Sequence, residues 1–159
     1  YESPQPVEEE APAEEYLPGT KENLDVNICP YIEQNPDTRF VVFFPPYSIL
    51  FWNDVVVGNH LEATLAQYRY LAERLNAYDN VEVYFFPDRE DIILDLNNYA
   101  DYSHYHPRYN RFMTECFADG STGLVAKEGS KKGKTIDEYL SHMKTIVQNY
   151  DFEELLSSE

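Results

Sequence analysis

Arg39-Phe-Val-Val-Phe-Phe-Pro-Pro46 decides how this chain is read. Phe40 to Phe44 is a short apolar, β-branched and aromatic run without polar alternation, as in a strand buried on both faces. Pro45 and Pro46 stop it, because proline has no N–H to give to a ladder. The same pattern returns in Val81-Glu-Val-Tyr-Phe-Phe86, closed by Pro87-Asp88. Between the two runs, Leu61, Leu65, Tyr68, Ala72 and Leu75 step by four, three, four and three, which predicts an amphipathic helix over 59–77. A helix-length connection between two buried strands implies a parallel pair, near 39–44 and 81–86, with a right-handed crossover.

The rest of the chain adds helices. Leu24, Ile28 and Ile32 fall at helical spacing and predict a helix near 22–34, kinked at Pro30. A further helix is expected near 107–117. The last, near 135–149, opens on the capping-box pattern Thr135-Ile-Asp-Glu138 and carries Ile136, Leu140, Met143 and Val147 as its apolar face. Gly120 to Gly133 reads as a loop rich in Gly, Ser and Lys. The order α-β-α-β-α-α gives an α/β fold with helices packed on a parallel sheet. Two strands are too few for such a sheet, so a partner chain or another part of the same domain is expected to complete it.

Residues 1–18 hold four prolines, six glutamates and no basic residue, and are expected to form an acidic flexible tail or linker before a folded part at 19–159. The chain of 159 residues, 43% hydrophobic and 15% aromatic, suffices for one domain with a real core. Its formal charge of -17 repels phosphate backbones and anionic headgroups, which argues against nucleic-acid and acidic-membrane partners. No apolar run nears the roughly 20 residues of a bilayer span, and no signal peptide is visible, so no membrane contact by this chain is expected. Cys29 and Cys116 have no metal-ligand spacing; they read as buried thiols, with a disulfide between them left open.

The chemistry gathers in Asp95-Leu-Asn-Asn-Tyr-Ala-Asp-Tyr-Ser-His-Tyr-His-Pro107. Asp101 lies three residues before His104. A carboxylate that accepts an imidazole Nδ1–H fixes the tautomer and leaves Nε2 to take a proton from a nucleophile. Two other readings of His104 stand beside that one: a structural histidine bridging the loop, and a metal ligand grouped with Asp95, Asp101 and His106. The metal reading needs His60 and His142 to converge from separate helices. Ser48 follows the first strand but lacks the glycines of a nucleophile elbow, so loop positioning through a hydrogen bond is its expected role. Tyr47 and Trp52 are candidates to line a cleft, beside the commoner core role of aromatics next to a strand. Ser103 is a candidate to stabilise its own turn, and Asp88 and Asp91 read as solvated loop residues.

Phe43-Phe-Pro-Pro-Tyr-Ser-Ile-Leu-Phe-Trp52, Asn80-Val-Glu-Val-Tyr84 and Asp95 to Tyr105, in this order, resemble the C-terminal half of a bacterial SGNH/GDSL hydrolase of the acyltransferase type, over about residues 21–156. The resemblance implies a three-layer α/β/α, flavodoxin-like domain of which this is the C-terminal part. It also implies a serine-dependent ester hydrolase or O-acyltransferase acting on acylated cell-envelope carbohydrate or polymer, outside the cytoplasmic membrane and anchored through an N-terminal region. Asp101 then matches the orienting acid and His104 the general base. The family's Gly-Asp-Ser turn and its oxyanion glycine and asparagine have no match here, so the nucleophile is expected on a missing N-terminal half, with no cofactor or metal. The competing expectation is a non-catalytic α/β interaction module.

Overall fold

The computed structural model describes residues 1–157. In chain order the elements are α1 (Ala13–Asn27), α2 (Cys29–Gln34), β1 (Phe40–Phe44), α3 (Ile49–Val57), α4 (Leu61–Asn76) and β2 (Val81–Phe85). The short α5 (Glu90–Ile93) and a 3-10 turn at Leu96–Asn98 lead to α6 (Arg108–Asp119), α7 (Ile136–Asn149) and α8 (Phe152–Ser157). The protein is thus mixed α/β around a small sheet.

β1 and β2 pair in parallel, from Phe40 opposite Val81 to Phe44 opposite Phe85. Side chains alternate across the sheet. Phe44, Val81, Val83 and Phe85 join the larger core cluster with Trp52 of α3, Leu65 and Leu75 of α4, and Met143 and Val147 of α7. Tyr84 and Phe86 face the other way, into a smaller cluster with Met113 and Cys116 of α6. β2 is thus covered on both faces apart from the half-buried Glu82, whereas Phe40, Val41 and Val42 of β1 are half-buried, Phe43 is exposed and only Phe44 is fully buried.

The two strand edges differ. On the far side of β2, the Val125 N–H donates to the Val83 carbonyl at 2.8 Å and the Phe85 N–H to the Gly123 carbonyl at 2.7 Å. The Gly/Ser/Lys segment thus adds a short pairing to β2. It is held by a crossing at Gly133, whose φ is +88° and where a Cβ would lie 2.3 Å from the Leu124 carbonyl oxygen, so only glycine fits. On β1, Phe40 donates to Asn80 and Phe44 accepts from Phe86. Alternation then turns the N–H and C=O of Val41 and Phe43 towards the outer edge, where no further strand pairs among the described residues.

Three expectations need correction. The single helix near 22–34 is two, broken at Ile28: Pro30 lies in the first turn of α2, where its missing N–H costs nothing, but it cannot continue α1. The expected tail boundary at residue 18 falls inside α1, which begins at Ala13. Packing along α4, including a 2.8 Å bond from Gln67 to Thr20, supports a helix that composition alone would not, and Glu14 and Glu15 suit the positive end of its dipole. Residues before it lie along α3, with the Val7 N–H donating to Val57 and the Ala11 N–H to Asn59, both at 2.9 Å. Finally, Trp52 is fully buried core and lines no cleft. Cys29 and Cys116 are free thiols in different clusters. Among the described residues no helix is long and apolar enough to cross a membrane.

Candidate active site

The loop after β2 is built from local hydrogen bonds. Asp95 accepts from the Asn97 N–H at 3.0 Å and starts the 3-10 turn. Tyr99 and Tyr105 then form an isolated antiparallel bridge, reinforced by the Ala100 N–H donating to the His104 carbonyl at 2.8 Å. The loop tip is Asp101 to His104. Its position is tied to the end of β1 at two points: the Tyr99 hydroxyl donates to the Pro46 carbonyl at 2.7 Å, and the Ser48 hydroxyl donates to the Tyr102 carbonyl.

Within the tip, Asp101 accepts the Ser103 and His104 N–H groups at 2.9 and 2.8 Å. Its two carboxylate oxygens also lie 2.9 and 2.7 Å from His104 Nδ1. A carboxylate in that place makes Nδ1 the protonated nitrogen and leaves the Nε2 lone pair available. The His104 and Ser103 backbone donors, joined by the imidazole, hold the Asp101 carboxyl well down, at about 2. The His104 side chain is 80% exposed, so the described residues leave most of the ring open to solvent.

His104 borders an open cleft of about 530 Å³ with Phe43, Pro45, Tyr47, Tyr105 and Asn110 among its walls. Pro45 and Tyr47 follow the carboxyl end of β1, the side of a parallel sheet where α/β proteins place ligands. Burial pushes the Tyr105 phenol up. The structure therefore brings Asp101, His104, Ser103 and Tyr47 together at one site.

It does not bring the metal set together. Asp95 is used in its own turn, and His106 Nδ1 accepts from the Arg108 N–H at 3.3 Å at the start of α6. His60 packs near Tyr16, and His142 is elsewhere. Among the described residues no group of three or more His, Cys, Asp or Glu is placed to hold a metal. Ser48 is wholly buried and caps α3 by accepting from the Phe51 N–H at 3.4 Å, a structural use of its hydroxyl.

One cluster escaped the sequence reading. Asp88, only 6% exposed, lies 3.1 Å from His142 Nδ1, and Glu90 lies 3.1 Å from His142 Nε2. Burial pushes the Asp88 carboxyl up, against the pull of His142 and Lys134. Fifty-four positions separate Asp88 from His142, so no local spacing signals the contact. No family model, curated protein or solved structure matches this chain.

Proposed function

We propose that this chain contributes the Asp101–His104 pair of a serine-dependent ester hydrolase or O-acyltransferase, the serine lying outside residues 1–159. The carrying observation is the Asp101 carboxylate 2.7 Å from His104 Nδ1 beside an open cleft. In that mechanism Nε2 takes the serine proton as the hydroxyl attacks an acyl carbonyl. Asp101 holds the tautomer and stabilises the imidazolium, which then protonates the leaving alcohol. Water or a glycan hydroxyl releases the acyl group by the reverse proton path. The 80% exposed ring supports the partial-domain part of the proposal, because an acid–base imidazole gains from a covered, less aqueous setting. The unpaired outer edge of β1 supports it too, as the place where further strands of a three-layer domain join.

Acylated carbohydrate or polymer of the bacterial cell envelope, reached outside the cytoplasmic membrane, is the substrate class that the family resemblance suggests. The second reading is a non-catalytic interaction module. It is favoured by the two backbone N–H bonds of Asp101, which a purely turn-forming aspartate also makes. Hydrolysis of a short acyl ester separates the two. The chain alone is expected to be inactive, and the protein carrying its upstream region active, with that activity lost in His104→Ala. Turnover by the chain alone that disappears in Ser48→Ala would instead place the nucleophile at Ser48.

A further inference from the structure

Residues 1–3 occupy a seat beside the Asp101–His104 loop. Asn53, 2% exposed, donates from Nδ2 to the Tyr1 hydroxyl at 2.8 Å and to the Ser3 hydroxyl at 2.9 Å. The Tyr1 hydroxyl donates to the Asp54 carboxylate, and the Leu50 carbonyl is 3.4 Å away. The Tyr1 ring stacks on Tyr102 with centroids 6.0 Å apart and planes 12° from parallel. A buried amide, a carboxylate and an aromatic face thus converge on hydroxyls and a flat ring.

These contacts at Tyr1 and Ser3 go to side-chain hydroxyls and a ring face, not to peptide groups. The arm is gripped as a peptide only further on: Val7 and Ala11 donate to Val57 and Asn59 at 2.9 Å, and Asn59 donates to the Glu8 carbonyl at 3.2 Å. The Tyr1–Ser3 segment therefore enters the seat by chemistry that is not specific to a peptide. It lies outside any helix or strand, and Tyr1 remains 39% exposed, so it can be displaced without unfolding an element.

We propose that Asn53, Asp54 and Tyr102 form a subsite for a neutral pyranose ring, and that Tyr1 and Ser3 fill it in competition with that ligand. The inference rests on the acyl-transfer reading, which calls for a hydroxyl-rich substrate. An aromatic face flanked by an amide and a carboxylate suits a sugar, whose ring offers C–H groups to the face and hydroxyls to the rim. Asp54 and a net charge of -17 disfavour an anionic sugar. A row of aromatic contacts links the seat to the cleft wall: Tyr102 lies 6.2 Å from Phe51, and Phe51 lies 4.7 Å from Tyr47, measured between ring centroids.

The test is an NMR titration of the full chain with cellotriose, with trigalacturonate as the anionic control. The Tyr1→Ala/Ser3→Ala double variant is expected to bind cellotriose about tenfold more tightly than the unsubstituted chain, because an occupied seat lowers apparent affinity by its free fraction. Adding Tyr102→Leu is expected to abolish that gain while the amide spectrum stays dispersed, which shows that the fold survives. A double variant that binds no tighter, a Tyr102→Leu variant that binds equally well, or equal binding of trigalacturonate would each overturn the subsite. The titration involves no acyl step. Sugar binding together with an inactive complete protein would sink the acyl-transfer reading alone; an active complete protein without this binding would sink the subsite alone.

Discussion

Asp101 takes donors from two backbone N–H groups and one imidazole, and the order of their influence gives a test. The His104 N–H weighs most, then the Ser103 N–H, and only then the His104 ring. A carboxyl depressed in the folded state contributes stability that is fully present above its ordinary value of 3.8 and lost as pH falls through about 2. Carbon-13 NMR titration is expected to place the Asp101 midpoint at about 2, and His104→Ala should keep most of that depression because both backbone donors remain. A return to the ordinary value in His104→Ala would mean that the ring, not the turn, holds the carboxylate. This pair was legible in the sequence because both members sit in one short turn, where spacing determines contact. Asp88 was not legible: its partner His142 arrives from α7, and only the folded chain buries the carboxyl. Reading Asp88 as a solvated loop residue was therefore wrong.

Among the elements, β1, β2, α4, α6 and α7 follow from hydrophobic period and boundary residues. The expected strands and their parallel pairing match the structure to within a residue at each end. The helix α3 was missed. Ile49-Leu-Phe-Trp-Asn-Asp-Val-Val-Val57 is rich in β-branched and aromatic residues, which weigh against a helix locally. Burial of Ile49 and Trp52 overrides that weak preference, and Ser48 supplies the cap. The signal available was the serine just ahead of the apolar run. Ser48→Ala removes a cap and leaves the Tyr102 carbonyl without its donor, so it is expected to cost about 1–2 kcal/mol. Urea unfolding followed by the fluorescence of the single, buried Trp52 measures this directly. An unchanged midpoint would show that Ser48 anchors neither α3 nor the loop.

For the molecule as a whole, the asymmetry of the sheet matters most. β2 is paired on both sides, whereas Val41 and Phe43 face an edge without a partner strand among the described residues. An open, uncharged apolar edge invites a further strand. In hydrogen exchange on this chain, the Val41 and Phe43 amides are expected to exchange much faster than those of Val42 and Phe44. In the protein carrying its upstream region, all four should be protected; continued fast exchange there would mean that no strand joins β1. Composition indicated a core-forming chain, yet it could not show that the acidic N-terminal stretch lies against α3, since that contact depends on where α3 presents Asn53 and where the turn after it places Asn59.

The role assigned to His104 is tested most directly by labelling the protein that carries its upstream region with a fluorophosphonate and mapping the modified residue by mass spectrometry. A serine activated by Asp101–His104 is expected to carry the label at a position outside residues 1–159, with labelling lost in His104→Ala and strongly slowed in Asp101→Asn. A label on Ser48 or Ser103, or labelling that survives His104→Ala unchanged, would contradict the assignment.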